Sequence, residues 1–390
     1  MRIIFIGYAV PQSDAVLYSG LSIAGNKMQN GFLSGLMEYD LDIKCLTIAP
    51  LAPFPKDRNF FFKKTKRILD SGLQVTLTPY INLPVLKQFT QTLFILIELL
   101  KLCKKEEIDV IITFNTFPQV GLPALLISNI RKVKFIPFVA DLPIDDAISR
   151  KFFSRLARKL FDRLATFALN HCQKLIVLNK YAAEKYAAGK EYMVLDGGIQ
   201  DSDLNRYCKL GTDIKNIVYT GALTNYSGIK NLIAAVNEIR NFEIYLDIYG
   251  SGDLEDEISK IALNNKRVRF FGKMPHEYVL NQQSNAWLLV NPRSVSDSIG
   301  KVTFPSKIFE YLMSGTPVLS TKLNCFSDEY KDIMFFCENN DPQTIANAII
   351  KIMRTNPNQL REISQKAYFF VLKEKRWGAH ANNVIKFISE

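Results

Sequence analysis

Short apolar runs alternate with helix-like patterns along the whole chain, and this alternation constrains the fold more than any other feature of the sequence. Apolar runs separated by amphipathic helical patterns are typical of α/β proteins with parallel sheets. The runs form two similar series, so we predict two doubly wound domains. The predicted strands lie near Ile3–Ile6, Ile43–Ile48, Gln74–Leu77, Val110–Thr113, Phe135–Val139, Leu175–Leu178 and Met193–Leu195, and then near Ile217–Tyr219, Ile244–Tyr249, Val268–Phe271, Trp287–Val290, Val318–Ser320 and Met334–Cys337.

The predicted domain boundary follows a Gly-Gly pair at 197–198, after which the sequence is polar. We therefore assign residues 1–205 to the first domain and residues 206–375 to the second. A last helical pattern begins at about Trp377 and has no strand after it, so residues 376–390 form a separate C-terminal helix. This helix either caps the second domain or packs on the first, and Trp377 anchors it in both cases.

The charge of the chain is uneven. The 390 residues are 48% hydrophobic and 22% charged, as expected for a globular protein, and the net charge is +11. Residues 1–200 hold 26 Lys and Arg against 17 Asp and Glu, a charge of +9, whereas residues 201–390 hold 23 against 21, a charge of +2. The first half is therefore the half that we expect to meet an anionic partner.

The sequence predicts a cytoplasmic protein with reduced thiols. The six cysteines include no Cys-x-x-Cys pair and the three histidines are far apart, so we expect no disulfide framework and no metal. Arg2 is followed at once by a strand-like run rather than by a signal peptide. The longest apolar block, residues 93–100, is interrupted by Glu98 and falls short of the ~20 residues that a spanning helix needs. A buried amphipathic helix is predicted there.

Residues 304–319 are predicted to form a loop, an amphipathic helix that stops at Gly315, and a short apolar strand. Ser306, Lys307 and Glu310 lie within about one turn of each other, so they can share a face of the helix. The free N–H groups of the first turn and Lys307 attract phosphate, and Glu310 is placed to accept both hydroxyls of a ribose. This spacing suits a nucleoside diphosphate, although a capped helix with a lysine–glutamate pair also explains it.

The same run resembles the nucleotide-sugar site of family 4 retaining glycosyltransferases, in particular bacterial capsule and exopolysaccharide enzymes with a Phe-Pro-Ser-Lys-x-x-Glu-Tyr segment. Three further stretches, residues 19–29, 195–199 and 289–293, resemble that group and occur in the family order. The resemblance implies the GT-B architecture, in which two Rossmann-like domains face each other across a cleft. The first would bind the acceptor and the second the nucleotide-sugar, and residues 376–390 would cross back onto the first domain.

The resemblance assigns donor binding to loops that follow strands. In the first domain this is the loop after the first strand, which precedes a helix predicted from about Lys27. Many relatives have a diphosphate-binding arginine and lysine where this chain has Ala222 and Ser227, and a first glutamate where it has Val302. Whether Lys230 replaces the missing charge stays open. The assigned donor-binding residues are Gly20, Gly25, Asn26, Gly198, Gly221, Gly250, Gly272, Met274, Ser306, Lys307 and Glu310.

Asp141, Arg293 and Lys307 are the residues that we assign to catalysis. Arg293 ends an apolar strand, and a guanidinium can contact phosphate through two hydrogen bonds, so Arg293 and Lys307 would counter the diphosphate charge. Asp141 ends a first-domain strand and is either a base for the acceptor hydroxyl or an ordinary strand-end carboxylate. The resemblance implies front-face displacement without a side-chain nucleophile. The nucleotide-sugar is a substrate, and neither a cofactor nor a metal is expected.

Two basic clusters, residues 149–161 and 60–67, suit anionic lipid headgroups or a lipid-linked pyrophosphate. A solvated protein exterior explains them as well. The sequence carries no zinc-finger, RNP or helix-turn-helix signature, so we expect no nucleic-acid partner. Asp201-Ser202-Asp203 resembles the metal-binding Asp-x-Asp motif of another glycosyltransferase fold, but it falls in the predicted interdomain stretch and is interpreted as loop.

The resemblance, taken with the phosphate-binding residues, implies a retaining glycosyltransferase that moves a sugar from a nucleotide-sugar to a glycan acceptor. The acceptor is expected to be lipid-linked, at the inner face of the plasma membrane, in cell-surface polysaccharide synthesis. Two alternatives remain: a sugar-nucleotide epimerase of the same fold, and a nucleotide-binding protein without catalytic activity. The sequence leaves open the sugar, the base, the acceptor, the linkage and the oligomeric state.

Overall fold

The computed structural model describes residues 1–84, 86–140, 152–187, 189–200, 215–295 and 304–390. The chain divides into two compact units. The first unit comprises Met1–Gly198 together with Trp377–Glu390, and the second comprises Ile199–Arg376. The predicted boundary between residues 205 and 206 lies outside the described residues.

The first unit is built on an eight-stranded sheet and a separate two-stranded sheet. The strands are β1 (Arg2–Gly7), β2 (Asp42–Ile48), β3 (Phe61–Phe62), β4 (Thr65–Ile68), β5 (Gln74–Thr78), β6 (Tyr80–Ile81), β7 (Val110–Phe114), β8 (Lys134–Val139), β9 (Lys174–Val177) and β10 (Glu191–Val194). The large sheet has the order β10-β9-β8-β7-β1-β2-β5-β4, and only β4 in it is antiparallel to its neighbour. β3 pairs with β6 in the small sheet.

The apolar runs predicted all strands of this unit except β3, β4 and β6. These three are short, and β4, with the sequence Thr-Lys-Arg-Ile, is an exposed edge strand. A central parallel strand is buried on both faces and so reads as a continuous apolar run, whereas an edge strand often carries charges that prevent further pairing. The pattern that identifies central strands is therefore absent from β4.

Six α-helices belong to the described part of the first unit. α1 begins at Ile23, earlier than the predicted start at about Lys27, because the Ser22 side chain caps it by accepting a hydrogen bond from the Gly25 N–H at 3.2 Å. These helices are α1 (Ile23–Met37), α2 (Leu86–Lys105), α3 (Pro118–Arg131), α4 (Phe152–Asn170), α5 (Lys180–Tyr186) and the C-terminal α12 (Trp377–Ser389).

α2 contains the long apolar block and its buried Glu98. The Glu98 carboxylate pairs with Lys64 at 2.6 Å and with Lys101 at 2.8 Å. Burial raises the pKa of Glu98, but its hydrogen bonds to the two lysines prevail and lower the pKa overall. Within the described part of the chain, none of the helices combines the length and the apolar character needed to cross a membrane.

The C-terminal helix α12 packs on α1, where two glycines leave room for Trp377. A Cβ atom at Gly31 would lie 2.0 Å from the Trp377 indole nitrogen, and one at Gly35 would lie 2.3 Å from the Trp377 carbonyl oxygen. The indole also meets the Phe32 ring edge-on, with 6.5 Å between ring centroids. The close approach of α12 to α1 therefore depends on the missing side chains of Gly31 and Gly35.

The second unit is a six-stranded parallel sheet with apolar cores on both faces. Its strands are β11 (Asn216–Thr220), β12 (Tyr245–Tyr249), β13 (Val268–Gly272), β14 (Leu288–Asn291), β15 (Val318–Thr321) and β16 (Phe335–Cys337). Their order is β13-β12-β11-β14-β15-β16. Its helices are α6 (Ile229–Glu238), α7 (Glu255–Asn264), α8 (His276–Ser284), α9 (Lys307–Met313), α10 (Pro342–Met353) and α11 (Pro357–Glu374).

Both large sheets confirm the predicted fold class, because each winds outward from its first strand and then returns to continue on the other side. The strand order reverses between β1 and β7 in the first unit and between β11 and β14 in the second. At such a switch point the loops leave the carboxyl ends of adjacent strands in opposite directions and open a crevice that commonly binds ligands. The second switch point is where the candidate residues collect.

Candidate functional site

Three loops lie side by side at the carboxyl edge of the second sheet, after β11, β12 and β13. The Gly221 N–H donates a hydrogen bond to the Tyr249 carbonyl at 2.8 Å, and the Gly250 N–H donates to the Gly272 carbonyl at 2.9 Å. Three of the predicted donor-binding glycines therefore meet in one backbone ladder. The ladder fixes the backbone of the loop after β11, which forms one side of the switch point.

Two glycines permit backbone contacts here that no other residue allows. A Cβ atom at Gly250 would lie 1.8 Å from the Gly221 carbonyl oxygen, and one at Gly228 would lie 1.7 Å from the Pro292 carbonyl oxygen. Both glycines have positive φ, +147° and +75°. The loop after β11 thus touches the loops after β12 and β14 because neither glycine has a side chain.

We expect the Gly228→Ala variant to lose about 2–4 kcal/mol of the free energy of unfolding, since the new Cβ both strains the backbone and displaces the Pro292 carbonyl. Gly272 is the matched control in the same unit: its φ is +69°, but the nearest atom to an added Cβ is 4.0 Å away. Gly272→Ala should therefore show the strain alone, about 1 kcal/mol. Urea unfolding compares them, and equal losses would contradict the proposed contact.

Lys307, the first residue of α9, places its ammonium group at the switch point. Its Nζ atom lies 6.0 Å from the centre of the Tyr219 ring and would lie 2.7 Å from a Cβ at Gly221, so Gly221 opens the space that Nζ occupies. Burial lowers the pKa of Lys307 to about 8, although the nearby Glu310 carboxylate raises it. An anion bound against Nζ would stabilise the protonated form.

Arg293 approaches the same tyrosine from the loop after β14. Its carbonyl oxygen accepts a hydrogen bond from the Thr321 hydroxyl at 2.6 Å, which fixes the backbone at this point. The Arg293 Nε atom is buried and has no hydrogen-bond partner in the described structure. Burial raises the pKa of Tyr219 to about 12, and the positive charge of Arg293 partly opposes that rise. A buried donor without an acceptor costs free energy that a ligand oxygen would recover.

The two cations have no close carboxylate partner among the described residues. None of the described carboxylate oxygens lies within 4.0 Å of the charged nitrogens of Lys307 or Arg293. Glu310 acts on Lys307 only through the longer-range attraction that raises its pKa. Two cations that act on the same tyrosine, one of them with an unused buried donor, suit an anion with several oxygens.

Glu310 follows Lys307 by one turn of α9 and lines a small pocket between α8 and α9. Ser306 is exposed immediately before the helix, and Met274 packs partly buried against the core on this face. The structure thus gathers most of the second-domain candidates around one edge of the sheet. The residues that line the pocket are Ile199, His276, Leu280, Gln283, Ser284, Glu310, Met313 and Ser314.

A buried hydrogen-bond network behind Glu310 was not identified from the sequence. The Thr220 N–H donates to the Tyr311 hydroxyl at 2.9 Å, and the Gln283 amide donates to the Thr220 hydroxyl at 3.0 Å. This network ties α9 and α8 to the end of β11. Tyr311 is the tyrosine of the Phe-Pro-Ser-Lys-x-x-Glu-Tyr segment, so the motif indicated that this residue matters. Its hydrogen-bond partners could not be identified in the same way, because they lie far away in sequence.

The first-domain candidates Gly20, Gly25 and Asn26 use their polar groups within the first unit. The Gly20 N–H donates to the Pro50 carbonyl at 2.9 Å, and the Gly25 N–H donates to the Ser22 hydroxyl that caps α1. The buried Asn26 side chain accepts from the Val10 N–H at 2.9 Å and donates to the Val10 carbonyl at 3.1 Å. Asn26 thereby fixes the loop after β1. Gly198 is the last residue before the chain enters the second unit.

The remaining predictions fall at other places in the chain. Asp141 and Val302, like the cluster residue Lys151, lie outside the described residues. Lys230, the proposed substitute for the missing diphosphate residues, forms an ion pair with Glu257 at 2.7 Å. Ala222 is exposed, and its carbonyl oxygen accepts a hydrogen bond from the Tyr219 hydroxyl at 2.9 Å. Within the described ranges, no group of His, Cys, Asp and Glu residues is arranged to hold a metal ion.

Comparison with known families gives a match to the model for glycosyl transferases group 1 over residues 209–369. A comparison with curated protein sequences gave no match. The matched residues contain Arg293, Lys307 and Glu310, together with the glycine ladder. They lie entirely within the second unit.

Among solved structures, the chain is similar to sucrose-phosphate synthase from Thermosynechococcus elongatus, with a TM-score of 0.67, 16% identity, and coverage of 100% of this chain and 98% of that one. It is also similar to Anabaena HepE in complex with UDP, with a TM-score of 0.66, 14% identity and full coverage of both chains. The lipopolysaccharide outer core galactosyltransferase WaaB has a TM-score of 0.64, 13% identity, and coverage of 99% and 100%. This chain therefore has the GT-B fold, and its second unit contains the part that matches glycosyl transferases group 1.

Proposed function

We propose that this protein is a retaining glycosyltransferase that transfers a sugar from a nucleotide-sugar to a glycan acceptor. The observation that carries the proposal is that Lys307 Nζ lies beside Tyr219, while the Arg293 Nε atom in the next loop is buried without a partner and no described carboxylate is close to either cation. A diphosphate supplies the oxygens that both cations lack. The match to glycosyl transferases group 1 over the same residues supports this assignment.

In the proposed reaction, the bond between the anomeric carbon and the β-phosphate oxygen breaks while the acceptor oxygen bonds to the same face of that carbon. The acceptor proton passes to the departing phosphate oxygen, so no side-chain nucleophile is required. Lys307 and Arg293 stabilise the charge that develops on the leaving diphosphate. Glu310 accepts the ribose hydroxyls and so holds the donor in register with the two cations.

The acceptor that we propose is a lipid-linked glycan intermediate in cell-surface polysaccharide synthesis, used at the inner face of the plasma membrane. The +9 charge of residues 1–200 supports an anionic partner such as a lipid-linked pyrophosphate. The similarity to a lipopolysaccharide galactosyltransferase supports a surface glycan as product. Asp141 stays our proposed base or orienting group for the acceptor hydroxyl.

Diphosphate binding should weaken as the pH rises through about 8. In the free protein Lys307 has a pKa near that value, so it is protonated below it and neutral above it. Because the diphosphate binds the protonated lysine, the dissociation constant should rise by up to tenfold per pH unit above about pH 8. Titration calorimetry with UDP between pH 7 and 9.5 measures this, and Lys307→Met should flatten the curve.

The proposed function is tested first by thermal unfolding with UDP, GDP, ADP, CMP and dTDP. UDP is the leading candidate, because the similar HepE structures contain UDP and UDP-glucose. A nucleotide at 100 times its dissociation constant should stabilise the protein by about 2.7 kcal/mol, a readily measured shift in Tm. The absence of any shift with all five nucleotides would contradict the donor site.

Turnover then separates transfer from the alternatives. With the sugar nucleotide of the selected base, a transferase releases nucleoside diphosphate in proportion to added acceptor. An epimerase converts the sugar nucleotide without an acceptor, and a non-catalytic protein shows the Tm shift without any turnover. Acceptor-dependent release, with the anomeric configuration kept in the product, is the result that we expect.

A further inference from the structure

We propose that the first unit docks on an anionic phospholipid bilayer through one surface, formed by residues 12–23 and 56–68. We call it the basic–apolar surface. The inference rests on the proposed function in one respect: a lipid-linked acceptor is what would bring the protein to a membrane. The observations behind it are exposed apolar and basic side chains of the first unit, none of which is among the assigned donor-binding residues.

The surface exposes several large apolar side chains in two short segments, a grouping that is common at membrane and protein interaction sites. Six of them are between 44% and 91% exposed, and the most exposed, Val16, belongs to a 3₁₀ turn that runs from Gln12 to Leu17. Aliphatic and aromatic side chains of this kind enter the boundary between headgroups and acyl chains. The six are Val16, Leu17, Ile23, Phe60, Phe61 and Ile68.

Cations alternate with these apolar side chains. Residues 56–68 contain six Lys and Arg against one Asp, in the order Lys-Asp-Arg-Asn-Phe-Phe-Phe-Lys-Lys-Thr-Lys-Arg-Ile. Lys63 and Lys66 are exposed, so their charges face the solvent beside the exposed phenylalanines. A bilayer with anionic headgroups attracts such cations while its apolar boundary accepts their neighbours, and stable peripheral binding usually needs both contributions.

Two hydrogen-bonded contacts join the two segments into one surface. Arg67 on β4 pairs with Asp14 in the 3₁₀ turn at 3.2 Å, and the Ser19 hydroxyl donates to Asp57 at 2.5 Å. Both carboxylates are thereby engaged by groups of the protein itself. The remaining exposed cations then give the surface a positive field, which is complementary to phosphatidylglycerol and not to neutral lipid.

The test is co-sedimentation of the full-length protein with vesicles of phosphatidylcholine, with and without phosphatidylglycerol. We expect binding to the mixed vesicles only, and weaker binding at high salt. The variant Lys63→Glu/Lys66→Glu should bind the mixed vesicles at least about tenfold more weakly, because each cation near an anionic surface contributes to binding. The variant Val16→Ser/Leu17→Ser should also bind more weakly, because it loses two inserting side chains.

Matched controls come from α7 and the residues just after it in the second unit, where Leu263 (83% exposed) lies between the exposed Lys260 and Lys266. Leu263→Ser makes one apolar-to-serine change, where the test variant makes two, and Lys260→Glu/Lys266→Glu makes the same two charge reversals. Both lie away from the basic–apolar surface, and binding should stay unchanged. Equal binding to both kinds of vesicle would overturn the proposal. Equal losses in the control variants would overturn it as well, since docking would then depend on overall charge or hydrophobicity.

Transfer to a water-soluble acceptor fragment separates this inference from the proposed function. The basic–apolar variants should keep that activity, because none of the changed residues belongs to the donor site. Vesicle binding without transfer by the unmodified protein would contradict the proposed function and leave the docking surface supported. Transfer without vesicle binding would refute the docking surface alone.

Discussion

The Glu310→Ala variant should lose about a thousandfold in kcat/KM for the sugar nucleotide while keeping its fold. A carboxylate that accepts two ribose hydroxyls forms two charge-assisted hydrogen bonds, each worth about 2 kcal/mol, and alanine replaces neither. Glu310 also raises the pKa of Lys307, so its removal weakens the neighbouring cation. Both effects act on the same bound donor, which makes this the largest loss that we expect from one substitution.

Two comparisons isolate the role of Glu310. Measurement at about pH 6.5, well below the Lys307 pKa of about 8, keeps the lysine protonated and leaves only the loss of ribose contacts. Glu277→Ala removes an exposed carboxylate from the first turn of α8 and should change neither affinity nor turnover. If Glu310→Ala binds the nucleoside diphosphate as tightly as the unmodified protein, the ribose assignment is wrong.

The Lys307→Met variant should bind the nucleoside diphosphate about 10- to 100-fold more weakly. Methionine keeps much of the side-chain volume and removes one charge-assisted contact, worth about 1.5–3 kcal/mol. Isothermal titration measures the loss. Lys230→Met is the matched control, because Lys230 also opens a helix near this edge of the sheet but pairs with Glu257. Its affinity should stay unchanged, and a larger loss there than at Lys307 would reassign the diphosphate contact.

Lys307→Met should not lower stability, and this separates a binding role from a structural one. The folded-state pKa of Lys307, about 8, is below the ordinary value of 10.5, so the unfolded chain binds more protons between these values. The charged lysine therefore opposes folding below about pH 8, and that penalty fades as the pH rises toward 10.5. At pH 7 the Tm of Lys307→Met should equal or exceed that of the unmodified protein. A lower Tm would point to a structural lysine.

Local patterns account for the parts of this fold that the sequence predicted. The central strands read as apolar runs because both of their faces are buried, and their positions were predicted to within about two residues. Ser306, Lys307 and Glu310 fall within one turn because helical spacing is fixed by the backbone itself. The strand β4 was not predicted, because an exposed and basic edge strand contains no apolar run.

Contacts between distant segments were decided only by the tertiary structure. Lys307 lies beside Tyr219 and the charge of Arg293 acts on it because the strand order places β11 beside β14, and no periodicity in either segment specifies that neighbour. The same holds for Lys230, whose partner Glu257 comes from another helix.

The sequence by itself therefore determined the fold class, most strands and the spacing of the donor-site motif, because these depend on residues close together in the chain. The tertiary structure alone decided which cations act on the same tyrosine, where Trp377 packs on Gly31 and Gly35, and which apolar side chains, such as Val16, stay exposed. The physical reason is that side-chain pairing and side-chain burial depend on contacts between residues far apart in the chain. The local sequence around one residue does not specify its distant partner.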